Sequence, residues 1–413
     1  MRAALAPLSY RPFRYLFAGR LTSLAGGAIA PIALAFAVLG ADGSATDLGL
    51  VLAAGAVPQI ALFLLGGIVA DRLPRNLVMV GSDVVSGAAQ VAAAALVVSG
   101  GVEIWHLAAL NAVRGAASAF FFPAAQGLTP QTVPNDRLQE ANALLRVTFA
   151  GTNIVGAALG GILVAAVGPG WALAWDALTY LVGAVLVAQV RVPTTRPVTA
   201  QPNALRELRE GWAEFSGRTW LWAIVAAAAL ANMALQVGFN VLGPVVADEE
   251  LGGSRAWGTI VAAMGVGFLA GGLAAFRLRP RRPLYLAQAV VVLGAAGMVG
   301  LAFGLPVWAV ALGAAIAGAS LEVFGVFWDL TLQQHVPRDR LSRVSSYDAL
   351  GSFVAIPLGQ VAAGPLAAAL GVTEAIWLAV GVYVVSQVSC LFVRDVRRLE
   401  RTDVAPVAVA DHV

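Results

Sequence analysis

The chain contains no lysine: all 26 of its basic residues are arginine. Charge of either sign is scarce, 12% of 413 residues, where a soluble domain carries about 25%. Without lysine no Gly-x-x-x-x-Gly-Lys loop can form, which excludes ATP as a direct energy source through that motif. The single cysteine, Cys390, has no partner for an intramolecular disulfide, and His106, His335 and His412 are too scattered for a metal centre. No metal and no other cofactor is expected. Acid clusters that would hold a diphosphate are also missing, which counts against an intramembrane transferase. A net charge of +3, carried on loops, gives no basis for nucleic-acid binding.

Apolar residues are abundant instead, 59% of the chain, with a mean hydropathy of +0.80. A helical span needs about 20 apolar residues. Segments of that length fall at 15–39, 48–70, 77–99, 104–125, 140–167, 171–191, 219–246, 256–276, 284–304, 307–328, 342–369 and 373–393. They are continuous, not alternating at period two, so an outer-membrane barrel is excluded. The fold expected is an all-α integral membrane protein with twelve transmembrane helices in two six-helix pseudo-symmetric bundles. Arg2, Arg11 and Arg14 precede the first segment with no cleavage site, which reads as a span kept in the mature protein.

Alternate connections differ in charge. One set carries Arg72, Arg75, Arg137 and the arginines of 191–218, 277–282, 338–343 and 394–401; the other carries Arg255 alone. Basic residues near span ends stay in the cytoplasm, so both termini are expected there, in a bacterial inner membrane. The domains read as a six-helix bundle over 1–191, a cytoplasmic linker over 192–218, a second bundle over 219–393 and a cytoplasmic tail over 394–413. In the linker Asn203 suits an N-cap, and Leu205, Leu208, Trp212 and Phe215 recur at helical spacing opposite charged residues, the pattern of an interfacial amphipathic helix.

The two bundles repeat. Val133-Pro-Asn-Asp-Arg-Leu138 returns as Val336-Pro-Arg-Asp-Arg-Leu341, an offset of 203, and Gly66-Gly67 with Arg72-Leu73 returns as Gly271-Gly272 with Arg277-Leu278 at 205. Parallel repeats about an axis along the membrane normal are a transporter design, with the substrate site at their interface.

Gly67-Ile-Val-Ala-Asp71-Arg72-Leu-Pro-Arg75 resembles the signature loop of the major facilitator superfamily. Asp71, Arg72 and Arg75 are the gating residues: Asp71 can cap a helix N-terminus and pair with Arg75, a latch that breaks when the inner gate opens. Phe276 stands at the corresponding place in the second half, so the halves are not expected to gate alike. Gly151-Thr-Asn-Ile-Val-Gly156-Ala-Ala-Leu-Gly160-Gly161 is similar to the glycine-rich motif of that family's exporters, with Ala157 where proline is usual. Gly67, Gly156, Gly160, Gly161, Gly359 and Gly364 are read as close-packing positions. Phe13-Arg14, Ser44 to Gly49, Phe122-Pro-Ala-Ala125, Ala141 to Leu144 and Arg343 to Asp348 resemble the bacterial subgroup of enterobactin and macrolide exporters. The resemblance implies a secondary transporter that exports a small amphipathic compound by proton antiport and alternating access. An importer of a small metabolite is the near alternative; a receptor or an intramembrane enzyme is the distant one. A monomer in the lipid bilayer, with a small-molecule substrate and protons as partners, is expected.

The same resemblance assigns the first, fourth, seventh and tenth spans to the cavity. The fourth offers Asn111, Arg114 and Ser118 on one face, the seventh Asn232, Gln236 and Asn240, and such stripes do not face lipid. The tenth adds Glu322 and Asp329, about 10 Å apart along one face. Glu322 and Asp329 are the proton-coupling candidates, Glu322 preferred. Arg20, Asp83, Arg146 and Asp176 lie nearer span ends and read as snorkelling or gate-side charges. No catalytic residue is expected.

Overall fold

The computed structural model describes residues 5–134, 137–192 and 212–401, apart from the side chains at 64, 71, 139, 146, 150, 153, 338–343 and 346. Within them the chain is helical throughout its regular structure, and twelve helices are long and apolar enough to cross a membrane. The first six are α1 (Arg11–Leu39), α2 (Ala45–Arg72), α3 (Arg75–Val98), α4 (Ile104–Thr132), α5 (Leu138–Val167) and α6 (Pro169–Ala188). The second six are α7 (Thr219–Glu249), α8 (Ser254–Arg277), α9 (Pro283–Ala302), α10 (Val307–His335), α11 (Arg338–Phe353 continued by Ile356–Leu370) and α12 (Val372–Cys390). Several helices outrun their apolar segments: α4 continues through Gln126 to Thr132, and α10 through Gln333 to His335. Hydropathy marks the stretch that lipid or protein covers, whereas helical hydrogen bonding continues past it. Of the linker helix only 212–216 lies within the described residues, where Phe215 is buried and stacks on Trp212.

Local chemistry fixes the helix ends. Ser44 caps α2: the Asp47 amide donates to its hydroxyl at 3.3 Å, and its own amide donates to the Asp47 carboxylate at 2.8 Å, a reciprocal capping box. A single glycine both ends α5 and starts α6: Gly168, at φ +87° and ψ 163°, is followed at once by Pro169. Gly371, 203 residues on, joins α11 to α12 in the same way at φ +102° and ψ 153°. That backbone region is essentially closed to residues with a Cβ. The two corners are therefore a further, conformational signature of the repeat.

Helix packing is dense within each half, α2 on α4, α3 on α6 and α1 on α6 in the first, α8 on α10 and α7 on α12 in the second. Between the halves the principal contacts are α5 with α8 and α2 with α11. At the end away from the termini, buried residues of both halves join one apolar cluster that includes Ile32, Phe36, Leu48 and Val51 with Leu242, Trp257 and Ile260. Toward the termini the clusters separate: Leu16, Met79, Ala124 and Leu128 belong to the first half, Leu221, Leu284, Trp328 and Leu332 to the second. The halves are closed against each other at the far end and parted at the end that carries the arginine-rich loops.

Because a Cβ built on Gly168 meets nothing within 4 Å, the cost of Gly168→Ala is purely one of backbone conformation, about 1–3 kcal/mol. Thermal unfolding in detergent micelles should give a lower midpoint for Gly168→Ala and for Gly371→Ala, while Gly101→Ser in the α3–α4 loop, where φ is not positive, changes it less. An unchanged midpoint for both corner variants would contradict the assignment.

Candidate functional site

Parting the halves leaves a cavity of about 1290 Å³ between α1, α4 and α5 on one side and α7, α8, α10 and α11 on the other. Its closed end is apolar: Ala35 and Pro244 lie there, and the rings of Phe239 and Trp257 meet with centroids 4.9 Å apart. Polar groups line the rest, among them Gln126, Thr129, Asn142, Gln236, Asn240 and Gln360. The described ionisable lining groups are Arg20 and Glu322.

Two irregular helices shape this space. α1 is interrupted between Gly27 and Ala30, and α7 contains a π-helical turn over Gln236–Val241 ahead of Pro244. Backbone irregularity at membrane depth is tolerated where it lines a cavity or is covered by protein. The π-turn adds a residue to the helical repeat and so rotates the C-terminal part of α7 about its axis. Asn232, in the regular helix before the turn, donates to the Ser352 carbonyl of α11 at 2.9 Å, whereas Gln236 and Asn240, within the turn, both line the cavity. Gln236 also accepts a hydrogen bond from the Gln360 amide at 3.2 Å.

The stripe on α4 is placed elsewhere. Asn111 is buried at the α2 contact, donating to the Val51 carbonyl at 2.7 Å and accepting from Arg114 at 2.8 and 3.1 Å. Ser118 donates back to the Arg114 carbonyl. These three are not among the cavity-lining residues. Glu322 is, whereas Asp329 is exposed in a separate groove with Phe276, Arg279 and Arg401. Arg72 is exposed, and the Asp71 side chain lies outside the described residues. Arg75 braces the first half, donating to the Gly127 carbonyl at 2.6 Å and the Ala70 carbonyl at 3.3 Å. At Gly67 an added Cβ would meet open space; its neighbour Gly66 is the residue pressed on α4, at Ala119. Gly156 and Gly160 pack on α1 and Gly359 on α7, while Gly161 and Gly364 sit at the contacts between halves.

Three charged residues differ from the reading by distance to span ends. Arg20 of α1 lines the cavity. Asp83 and Asp176, 1% and 0% exposed, are buried between helices and do not snorkel.

A sequence profile of the Major Facilitator Superfamily matches residues 16–359. The chain belongs to the major facilitator superfamily. It is therefore a multi-pass membrane transporter and not an enzyme. Macrolide efflux protein A of Streptococcus pyogenes is 24% identical over 94% of this chain and 97% of its own length. Multidrug efflux pump Tap of Mycobacterium tuberculosis is 28% identical over 97% and 96% respectively. Among solved structures, nucleoside transporter NupG superposes with a TM-score of 0.72 at 12% identity, covering 94% of this chain and 99% of that one. A bacterial homologue of the iron transporter ferroportin, in an inward-facing state, gives 0.71 at 18% identity over 92% and 98%. These likenesses carry the fold.

The placement of the two amides of α7 separates their roles. Asn232→Ala removes a link between helices and should lower the unfolding midpoint, at a cost of about 1 kcal/mol, without changing transport KM. Asn240→Ala should change KM for a transported substrate and leave the midpoint unchanged. The opposite pattern would place Asn232 at the substrate.

Proposed function

We propose that the protein exports small amphipathic organic compounds, a drug, macrolide or siderophore-like metabolite, by proton antiport with alternating access. Its place in this reading is a bacterial cytoplasmic membrane, with both termini and the arginine-rich loops inside. The observation that carries the reading is the cavity, closed at the far end and open toward the arginine-rich face. Given the positive-inside rule, that opening faces the cytoplasm, where an exporter loads. At about 1290 Å³ it is larger than the roughly 300–1,000 Å³ typical of small-molecule pockets, which suits bulky ligands. Phe239 and Trp257 offer an apolar bed, and Gln236, Asn240 and Gln360 offer adaptable hydrogen bonds. The efflux activity in the names of relatives that match nearly end to end supports the direction.

In this proposal Glu322 is the coupling acid. It stands on the cavity wall, where water present in one state and excluded in another changes the cost of carrying charge. Asp329, on the exposed groove beside Arg279, acts in gating. Asp71 and Arg75 form the latch of the first half, and Arg75, already tied to α2 and α4, holds its position there.

Everted membrane vesicles energised to be acidic inside should accumulate a macrolide, and dissipating the pH gradient should release it. Glu322→Gln should abolish this uphill uptake while counterflow of bound substrate persists, and Asp329→Asn should only slow it. Uphill accumulation by Glu322→Gln with normal pH dependence would remove Glu322 from the coupling role.

A further inference from the structure

Behind α1, away from the cavity, the first half holds a second set of ionisable groups. Asp176 of α6 is fully buried; its Oδ2 accepts from the Gln90 side chain of α3 at 2.5 Å, and its Oδ1 has no hydrogen-bond partner. Asp83 of α3, 1% exposed, accepts from the Ser23 hydroxyl of α1 at 3.5 Å. From α4, Arg114 lies near enough to act electrostatically on Asp176 and on Tyr180, the phenol one turn along α6. The remaining neighbour, α5, has no titratable residue between Val147 and Val167, and Arg20 of α1 is turned to the cavity. The set is thus two carboxyl groups, one guanidinium and a neutral phenol.

In a dry helical bundle a net charge is expensive, and two carboxylates cannot both ionise against one cation without leaving one negative charge. One retained proton makes the set neutral, and the unpartnered Asp176 Oδ1 is an oxygen able to take it. Packing alone does not demand acids here. In the second half the corresponding helices, α9 and α12, are joined by the buried amides Gln288 and Gln387, 2.7 Å apart, with no charge.

α1 separates this set from the cavity. Gly26 presses on Asp176, where an added Cβ would come within 2.6 Å of Oδ1, and Ser23 meets Asp83. An adjoining face of the same helix, through Arg20 and Gly27 and with Ala28 in the interruption, lines the cavity. We infer that Asp176, Asp83 and Arg114 form a proton-binding site, distinct from Glu322, that holds one proton in this conformation and exchanges it as α1 moves at its interruption. Binding forms one O–H bond on a carboxylate oxygen, and release returns that proton to water. The inference rests on the transporter reading for its role but not for its existence.

Infrared difference spectroscopy of the purified full-length protein in lipid, as a function of pH and in H₂O against D₂O, tests it through the carbonyl stretch of a protonated carboxyl group. In a Glu322→Gln background one such band should remain. Asp176→Asn or Asp83→Asn should remove it, because one acid and one arginine are already neutral together. Arg114→Gln should roughly double it, because two acids without a cation retain two protons. Either single Asp→Asn variant is near-isosteric, so one of them suffices if the other does not fold. A band already lost in Glu322→Gln alone, or one unchanged in a folded Asp→Asn variant, or one that Arg114→Gln fails to increase, would overturn the inference. None of these readouts needs a substrate, so failure of the export reading leaves them intact.

Discussion

Where α5 meets α8, a Cβ on Gly161 would lie 2.5 Å from the Ser254 carbonyl oxygen and a Cβ on Gly258 would lie 2.8 Å from the Gly161 Cα. Ser254 fixes the register with a 3.2 Å hydrogen bond from its hydroxyl to the Gly161 carbonyl. At the other seam the repeat-mate of Gly161, Gly364 of α11, presses on Thr46 of α2, and Gly49 of α2 presses on the Gln360 carbonyl. In lipid, apolar side chains gain little by meeting each other, so helices associate by close backbone approach and dispersion. Both seams are built on such close backbone approaches, with few side chains set between the helices, Ser254 and Ile154 at one and Thr46 at the other. Their location in the far portion of the bundle is what closes that end and leaves the cavity open at the other.

The cavity follows from this hinge-like arrangement together with two broken helices. α1 and α7 each lose regular geometry where they face the centre, and α7 places Gln236 and Asn240 on the cavity from within its break. The halves share topology but not chemistry. The first carries a buried acid pair and Arg114 behind α1; the second carries Glu322 on the cavity wall and neutral glutamines between α9 and α12. Phe276, exposed at the end of α8 where the first half has Asp71, extends that asymmetry to the loops.

The spans and the repeat were legible in the sequence because hydropathy reports burial in lipid or protein, and because the 203-residue offset recurs in motifs and in the Gly168 and Gly371 corners. The site was legible only in part. A polar stripe says that a helix face avoids lipid, but not whether a cavity or another helix covers it, and Asn111 and Ser118 are covered by helix contacts and their own backbone. On α7 the same ambiguity divides the stripe: α11 covers Asn232, while Gln236 and Asn240 meet the cavity. The interruptions themselves had a signal, Gly26-Gly27 before Pro31 and Gly238 and Gly243 before Pro244. Asp83 and Asp176 were judged by distance from span ends, yet about 10–12 Å along a helix is enough to pass beyond the headgroups when the neighbouring helices are closely packed.

The central claim is that the two halves rock about the glycine seams, opening one end as the other closes. Pulsed electron-spin distance measurements in a Cys390→Ser background test it most directly, with spin labels on Ser99 and Phe303 across the far end and on Leu73 and Arg279 across the terminal end. All four positions are exposed. Shifting the pH, or adding a transported substrate, should lengthen the Ser99 to Phe303 distance while shortening the Leu73 to Arg279 distance in the same sample. Distances that change in the same direction, or that stay fixed under conditions where transport is measured, would contradict rocking about the seams.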